Sequence, residues 1–210
     1  MFSLRVIWPF LALAAAQAQQ HEIGILGGGG WAAGLPIQGA PASTSAGFQT
    51  GAAAGAVLSQ DLYGRWSGEI RYMFEQRNLR VTSGGTTASF TGQAHVLHYD
   101  LLFYTRPRNQ RVRPYLAVGG GVKLFRGTGT ETAYRPLMEY AYLTRTQQLQ
   151  PMLTAGGGVK IQLNARLRLR IDVRDQITRF PGKLIAPAPG MSLDGWLQDW
   201  VPTVGLSWSF

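Results

Sequence analysis

The 210-residue chain contains no cysteine, and it has few acidic residues, 11 Asp+Glu against 20 Lys+Arg. Without cysteine, disulfides and cysteine-based metal or redox sites are excluded. No apolar run of about 18 residues occurs after the N-terminus, which argues against a helical membrane protein. The length suits one domain, and an apolar fraction of 45% is not that of a disordered chain. The formal net charge of the chain is +9.

The N-terminus has the three parts of an export signal. The first five residues carry one cation, and an apolar run follows over residues 6–16. Residues 16–18 read Ala-Gln-Ala, the small-x-small pattern that a signal peptidase needs. We therefore predict a signal peptide over residues 1–18 and a single domain over 19–210. The alternative is a buried N-terminal helix, which the glycine-rich, non-amphipathic sequence after it disfavours.

Short segments in which apolar and polar residues alternate recur along the rest of the chain. Successive side chains of a β-strand point to opposite faces, so this period of two predicts strands. In the last segment Val204, Leu206 and Trp208 share one face, while small or polar residues such as Ser207 occupy the other. We predict eight strands, over residues 22–31, 48–60, 65–76, 91–104, 113–126, 151–163, 166–178 and 199–210.

The connections between these strands alternate in length. The shorter ones are 61–64, 105–112 and 164–165, and the long ones are 32–47, 77–90, 127–150 and 179–198. Alternate connections of an up-and-down barrel lie at the same end, and outer-membrane barrels keep short turns on the periplasmic side and long loops outside. Strand parity and loop length therefore agree. Together they predict an all-β fold, an eight-stranded antiparallel up-and-down transmembrane β-barrel.

The polar face of the predicted strands carries charge of both signs. A sheet spans lipid only when it closes on itself, because lipid offers no partner to an unpaired edge. Side chains fill the interior of an eight-stranded barrel, and charged ones have to be paired or hydrated there. We predict a lumen charge network of Glu69, Arg71, Asp100, Lys123, Lys160, Arg168, Arg170, Asp172 and Arg174. Its excess of cations implies trapped water, bound anions or arginines that reach toward the ends.

A soluble, secreted lipocalin-like barrel has the same alternation with the two faces exchanged. Aromatic residues near the predicted strand ends favour the membrane version, because an interfacial girdle needs them there. We predict such a girdle from Trp31, Trp66, Phe103, Tyr104, Phe125, Trp200, Trp208 and Phe210. The final residue is also an aromatic in register with the apolar face.

Two further stretches carry a family resemblance. Residues 114–121 read Pro-Tyr-Leu-Ala-Val-Gly-Gly-Gly, and the chain ends in Val-Gly-Leu-Ser-Trp-Ser-Phe. With the signal and the eight strands, the sequence resembles, over residues 19–210, the small outer-membrane barrels typified by the membrane domain of OmpA and by OmpX. The resemblance implies a location in a bacterial outer membrane. It also implies a C-terminal assembly signal made of Val204, Leu206, Trp208 and Phe210.

The partners that this resemblance implies are of two kinds. During biogenesis they are periplasmic chaperones and the barrel-assembly machinery that reads the C-terminal signal. In the finished protein they are outer-membrane lipid and lipopolysaccharide. The oligomeric state is left open by the sequence.

Catalytic and metal chemistry have weak support. Lipid-modifying barrels need a nucleophile with a histidine and an acid, or an equivalent set. His98 and Asp100 share the inward face of one strand, but no serine joins them in a local motif, and polar filling of the lumen explains both. His95 has the opposite parity to His98, so the two cannot reach one ion inside the barrel. We predict no catalytic residue, no metal site and no cofactor.

Loop cations give the remaining signal. Arg126, Arg135, Arg145, Arg179 and Lys183 lie in or beside the predicted outer loops. One interpretation is that these cations attract lipopolysaccharide phosphates or other surface anions, and the other is that they are loop charges solvated only by water. No nucleic-acid-binding module is recognisable, so nucleic acid is not a predicted partner.

For the predicted barrel we predict a non-enzymatic outer-membrane protein with a structural or surface-interaction role. The alternatives are a narrow pore for small solutes and a lipid-modifying outer-membrane enzyme.

Overall fold

A computed structural model describes residues 21–210, so the predicted signal peptide lies outside the described residues. These residues form strands β1 (His21–Ala32), β2 (Leu35–Pro36), β3 (Ser45–Phe48), β4 (Gly51–Asp61), β5 (Trp66–Gln76), β6 (Leu79–Ser83), β7 (Thr86–Phe90), β8 (Gly92–Tyr104), β9 (Val112–Gly127), β10 (Ala141–Leu143), β11 (Gln147–Gln162), β12 (Leu167–Arg179), β13 (Ile185–Pro187) and β14 (Trp196–Ser209). Within this part of the chain no helix has the length and apolarity to cross a bilayer.

Eight of the strands close a barrel in the order β1-β14-β12-β11-β9-β8-β5-β4, and β4 pairs with β1. All neighbouring pairs are antiparallel, so the chain runs up and down around the wall. The first and last strands meet, with Ile23 opposite Trp208. This closure leaves no free barrel edge and satisfies the requirement for a sheet in lipid.

The two faces of the wall differ in chemistry as the parity of the sequence predicts. The outward face exposes large apolar side chains on every barrel strand, among them Ile25, Leu58, Ile70, Leu97, Leu116, Leu153, Ile171 and Leu206. The inward face buries charged side chains such as Arg170 and Glu69. An apolar exterior around a charged interior is the reverse of a soluble barrel, so the lipocalin-like alternative is wrong.

Two residues of the predicted aromatic girdle point into the barrel and not toward its outer surface. Tyr104 and Phe125 are buried inside the barrel, whereas Trp31, Trp66, Trp200, Trp208 and Phe210 are exposed on its outer surface. The cause is strand parity: Tyr104 shares its parity with Asp100, and Phe125 shares its parity with Lys123. Alternation along the strand therefore decides the position of these rings, and the aromatic character of the residue does not.

The long connections are more ordered than their composition suggests. The sequence predicts eight strands, yet six short strands lie in the long loops. A four-stranded sheet has the order β2-β3-β6-β7, and β10 pairs with β13. Between β6 and β7 the hairpin turns at Gly84 and Gly85, whose φ angles of 54° and 84° lie in the left-handed region that glycine adopts freely.

These loop elements build an apolar core over one mouth of the barrel, which we name the loop cap. Phe48 of β3 stacks on Phe125 with ring centroids 5.2 Å apart, and Phe180 lies 6.3 Å from Phe48. Leu79, Val81, Leu184 and Ile185 are fully buried in the same cluster. The predicted barrel strand at 48–60 therefore begins later, at Gly51, because Phe48 belongs to this cap.

Glycines on the inward face allow strands and side chains to approach closely. A Cβ atom on Gly119 would collide with the carbonyl oxygen of Tyr99 and with Asp100 on the neighbouring strand. A Cβ atom on Gly30 would occupy the place of the Arg77 guanidinium. The glycines thus leave room for the curvature of a narrow barrel and for the charged groups inside it.

The exterior can be tested by placing a charge on it. We expect Val118→Arg, on the outward face of β9 and 60% exposed, to destabilise the protein in lipid vesicles by about 2–4 kcal/mol, as a cation near the bilayer midplane does. Urea unfolding from vesicles measures this change. The control is Tyr134→Arg, at a loop position that is 81% exposed, and equal stability losses in both variants would contradict a lipid-facing β9.

Candidate functional site

One half of the lumen lies between the short turns and the middle of the barrel. It holds nine charged side chains, which we name the lower cluster. They are Glu22, Glu69, Arg71, Asp100, Lys160, Arg168, Arg170, Asp172 and Arg174. They project from β1, β5, β8, β11 and β12. Their ion pairs therefore tie together strands that are far apart in the wall.

Asp172 accepts hydrogen bonds from several strands of the lower cluster. Arg71 donates to both of its oxygens, with Nη1–Oδ1 and Nη2–Oδ2 distances of 3.0 and 2.8 Å. Tyr115 and Thr203 donate their hydroxyl hydrogens to the same carboxylate at 2.7 and 2.8 Å. Such a two-pronged arginine–carboxylate contact fixes geometry as well as charge, so it locks β5 against β12 across the lumen.

Glu69 lies beside this pair and bridges two arginines. Its Oε1 accepts from Arg71 Nη2 at 2.8 Å, and its Oε2 accepts from Arg170 Nη2 at 2.7 Å. Ser59 adds a hydrogen bond from its hydroxyl at 2.9 Å. Because Glu69 and Arg170 are fully buried, each depends on the other for the charge compensation that a low-dielectric interior demands.

Glu22 closes the lower cluster toward the turn end. Its Oε2 accepts from Lys160 Nζ at 3.0 Å and from Arg168 Nη1 at 2.9 Å. The side chain of Arg168 is the most accessible of the nine, 14% exposed. Below it the ring of Tyr104 lies under the Arg113 guanidinium, with 3.8 Å between the ring centroid and Cζ. This mouth of the barrel is thus filled by stacked cationic and aromatic groups.

His98 and Asp100, the pair weighed as a catalytic site, are bonded to each other inside the lumen. His98 Nδ1 and Asp100 Oδ1 are 2.9 Å apart. Thr154 donates to the same Asp100 oxygen, and Arg174 Nε donates to the other at 3.0 Å. The hydroxyl of Thr154 therefore bonds the acid and not the histidine, which is not the relay that activates a nucleophile.

An apolar layer separates the lower cluster from a second set of charges. It consists of Leu26, Ala53, Val57, Met73, Val96, Met152 and Val201. These residues come from six of the eight barrel strands. The layer has no group that could hydrate a passing ion, and it lies between two polar compartments of the lumen.

The second compartment, which we name the upper cluster, is centred on Lys123. Its Nζ donates to Glu75, Gln176 and Asp199 at 2.8, 2.7 and 2.6 Å, which uses all three of its hydrogens. Arg77 donates to Asp199 Oδ1 at 2.6 Å and to Glu75 Oε2 at 3.2 Å. Two cations thus match two carboxylates, and the compartment is neutral.

Arg77 connects the barrel wall to the loops. It follows β5 in the chain, and its Nη1 donates to the carbonyl oxygen of Gly30 on β1 at 2.5 Å. Above it the loop cap begins with Phe48 and Phe125. The order along the axis is therefore lower cluster, apolar layer, upper cluster and loop cap.

All nine residues of the predicted network point into the lumen, and eight of them are buried. The structure divides them: Lys123 lies in the upper cluster, and the other eight lie in the lower cluster with Glu22. The prediction missed Glu22, Glu75, Arg77 and Asp199. Three of these have inward parity at the ends of predicted strands, so parity carried to the strand ends would have found them. Arg77 lies outside the regular strand pattern and gave no such signal.

The C-terminal residues Val204, Leu206, Trp208 and Phe210 are all exposed on the outer face of the barrel end. Their role as an assembly signal stays a prediction. No group of three or more metal-ligating side chains occurs within residues 21–210.

No protein-family model matches the chain, and no curated protein sequence matches it either. Solved structures do match the chain. OprG from Pseudomonas aeruginosa is 16% identical, with 90% of this chain and 95% of that chain covered and a TM-score of 0.56. Neisserial surface protein A is 8% identical, with 91% and 97% covered and a TM-score of 0.56. The fold is that of the small eight-stranded outer-membrane barrels.

A third barrel with this fold is the attachment invasion locus protein Ail of Yersinia pestis. It is 10% identical, with 91% of this chain and 99% of that chain covered and a TM-score of 0.50, and its structure is a complex with the heparin analogue sucrose octasulfate. At these identities the likeness concerns the fold. Together with the apolar exterior and the charged lumen, it makes this protein a barrel of the outer-membrane type.

The upper cluster can be tested through its central cation. We expect Lys123→Met to destabilise the protein by about 3–5 kcal/mol, because Glu75 and Asp199 are then left with one cation in a buried compartment. Urea unfolding in detergent micelles or vesicles measures this loss. Adding Glu75→Gln to the variant should restore part of the stability, since one negative charge is removed with the positive one.

The matched control removes a cation outside the lumen. Arg106→Met changes an exposed residue of the 105–111 turn and is expected to shift stability by less than about 0.5 kcal/mol. A Lys123→Met variant as stable as this control would contradict the dependence of the fold on the upper cluster.

Proposed function

We propose that this protein is a closed, non-conducting outer-membrane barrel with a structural and surface-interaction role. The observation that carries the proposal is the filling of the lumen. Charged side chains that would line a water-filled pore are instead buried against one another, and Arg170, Lys123 and Glu69 are fully shielded from solvent.

Three successive barriers oppose the passage of a solute through the barrel. The lower cluster would have to break the two-pronged contact between Arg71 and Asp172. The apolar layer offers no hydrogen bonds, and the loop cap closes the outer mouth with packed rings. Because an uncompensated buried charge is costly, opening this path costs more free energy than thermal motion readily supplies.

With the interior closed, the surfaces that remain for interaction are the loops and the rim. The loop side exposes Arg126, Arg145, Arg179 and Lys183, while Arg135 is half-buried and stacks on Phe90. An excess of cations at this end suits anionic partners, because charge of one sign raises the local concentration of the other. That a barrel of this fold binds a sulfated sugar is compatible with such a role.

A catalytic role has no comparable support. His98 lies inside the closed lumen, 3% exposed, where a lipid substrate outside the barrel wall cannot reach it. Its position between Asp100 and the apolar layer is explained by polar packing.

Planar-bilayer recording tests the closed state. We expect the purified protein to insert without producing discrete conductance steps, because buried, paired charges and the packed rings of the loop cap fill the described lumen. An open porin reconstituted in the same way serves as the positive control for detection. Reproducible single-channel steps from the unmodified protein would support the pore hypothesis instead.

The surface role is tested by removing the exposed loop cations. Substitution of Arg126, Arg145, Arg179 and Lys183 by glutamine, at positions that are all exposed, should reduce binding of the protein to anionic cell-surface polymers while the barrel stays folded. Heat-modifiable gel mobility reports the folded state. Unchanged binding with a folded barrel would count against these cations as the interaction surface.

A further inference from the structure

An unusual row of polar side chains crosses the outward face near the loop end. Gln76 of β5 is opposite Gln93 of β8, Gln93 is opposite Arg126 of β9, and Arg126 is opposite Gln147 of β11. Two residues closer to the barrel middle, the corresponding positions on β5, β9 and β11 are the apolar Phe74, Leu124 and Leu149. The row therefore marks the level at which the lipid-facing surface changes from apolar to polar.

Arg126 lies in a cleft that holds a second arginine. The cleft, of about 310 Å³, is lined by Arg126, Gly127, Arg145, Thr146 and Gln147. Both arginines are exposed. Within residues 21–210 neither guanidinium makes an ion pair or a side-chain hydrogen bond, in contrast to the arginines of the lumen. Ten N–H donors in fixed planar forks are thus available to an anion.

A third cation is held close to this cleft by hydrogen bonds of its backbone. The carbonyl oxygen of Lys183 accepts from the hydroxyls of Thr144 and Thr146 at 2.6 and 2.9 Å, and its N–H donates to Gln148. The acidic side chain beside Arg145 is that of Glu131, whose Oε1 accepts from the backbone N–H of Arg145 at 2.6 Å. Three cations against one carboxylate leave the cleft positively charged.

An apolar groove adjoins the cleft on its other side. It has a volume of about 440 Å³, and Ala52, Ala54, Phe74, Gln76 and Gln93 are among its lining residues. Groove and cleft share the row: Gln93 lines the groove and is the strand partner of Arg126, which lines the cleft. Thr128 lines the groove, and Gly127 next to it lines the cleft.

His95 adds a polar group to the lipid-facing side of the same region. Its Nδ1 is 2.8 Å from the hydroxyl of Tyr72, its Nε2 is 3.3 Å from the Gln93 amide, and its ring meets the edge of Phe74 at a centroid distance of 5.5 Å. These contacts fix the Gln93 side chain and the Phe74 ring, which form part of the groove.

We propose that this bipartite surface is a binding site for one phosphorylated lipid of the outer leaflet, of the lipid A class. The phosphate binds between Arg126 and Arg145 with Lys183 nearby, and one acyl chain lies in the groove over Ala52 and Ala54. The amides of Gln76, Gln93 and Gln147 face the polar linkage between headgroup and chains. The inference rests on the outer-membrane location in the proposed function and specifies a partner for that surface.

The occupant follows from the position of the two halves. The groove extends from the row toward the barrel middle as far as Ala54 and Phe74, and the cleft holds two guanidinium groups. A molecule with both an apolar chain and an anionic headgroup therefore fills both halves. A guanidinium pair is the protein group best matched to phosphate, with paired, charge-assisted hydrogen bonds. Small residues at the groove floor leave the width of a chain, and the polar row lies where the ester or amide bonds of a lipid lie.

Native mass spectrometry of the whole protein tests the site. The protein is reconstituted in phosphatidylcholine vesicles that contain a minor share of bisphosphorylated lipid A, or the same lipid with its phosphates removed, and is then extracted. We expect one phosphorylated lipid A to be retained per barrel, and the dephosphorylated form to be retained about tenfold less, since a hydrogen bond to a charged group is lost. Equal retention of the two forms would overturn the proposal.

Variants separate the two halves of the site. Arg126→Gln with Arg145→Gln should lower retention of the phosphorylated lipid by about tenfold or more, and Arg179→Gln, at another exposed rim arginine that stacks on Trp196, should leave it unchanged. Ala54→Leu fills the groove and should lower retention of both lipid forms, whereas Ala155→Leu at an exposed outward position of β11 should not. Equal losses in site and control variants would contradict a localised site.

Two further readouts distinguish the sources of failure. Inorganic phosphate, added at the concentration of the lipid, should not displace the bound lipid, because it lacks the part that fills the groove; complete displacement would overturn the lipid assignment. Heat-modifiable mobility and the absence of conductance are measured on every variant. A folded, closed barrel that fails to retain lipid A refutes the site alone, whereas a conducting barrel refutes the proposed function.

Discussion

The pairing of carboxylates with cations across the lumen is the constraint on which this structure depends. Lipid outside the wall forces polar side chains inward, and an eight-stranded barrel is too narrow to keep them in bulk water. Each charge therefore needs a partner on another strand, as Arg71 finds Asp172 and Lys123 finds Asp199. The same pairs that neutralise the interior also connect opposite sides of the wall, so the barrel is held from within as well as by its strand ladders.

The strands of the barrel wall could be predicted from the sequence because the wall separates two environments that favour opposite kinds of residue. Apolar and polar side chains alternate from Leu167 to Arg174 and from Val201 to Phe210, because one face of each strand meets hydrocarbon and the other meets a polar lumen. The parity was more reliable than residue type, as Tyr104 and Phe125 show. Both rings suggested an interfacial position by their chemistry, and both lie inside, because the alternation of their strands leaves them no other place.

The loops could not be read in the same way. Their short strands, such as the four-residue β3, offer too few alternations to stand out from turns, and their burial depends on partners far away in the chain. Phe48 is buried because Phe125 of β9 and Phe180, which follows β12, approach it. The upper cluster shows the same limit: the partners of Lys123 were found only when the register placed Glu75, Gln176 and Asp199 around it. Distance along the chain hides such contacts, and only the closed sheet brings them together.

The hairpin of β6 and β7 stands apart from these dependencies at its tip. Gly84 and Gly85 have no atoms of neighbouring segments near the positions of a Cβ, and they form the exposed end of a ladder whose other end joins the loop cap. Extra chain introduced between them would extend away from the loop cap without disturbing a packed group. The tip of this hairpin is thus a position at which a peptide or a fluorescent label can be inserted while the barrel and its cap stay intact.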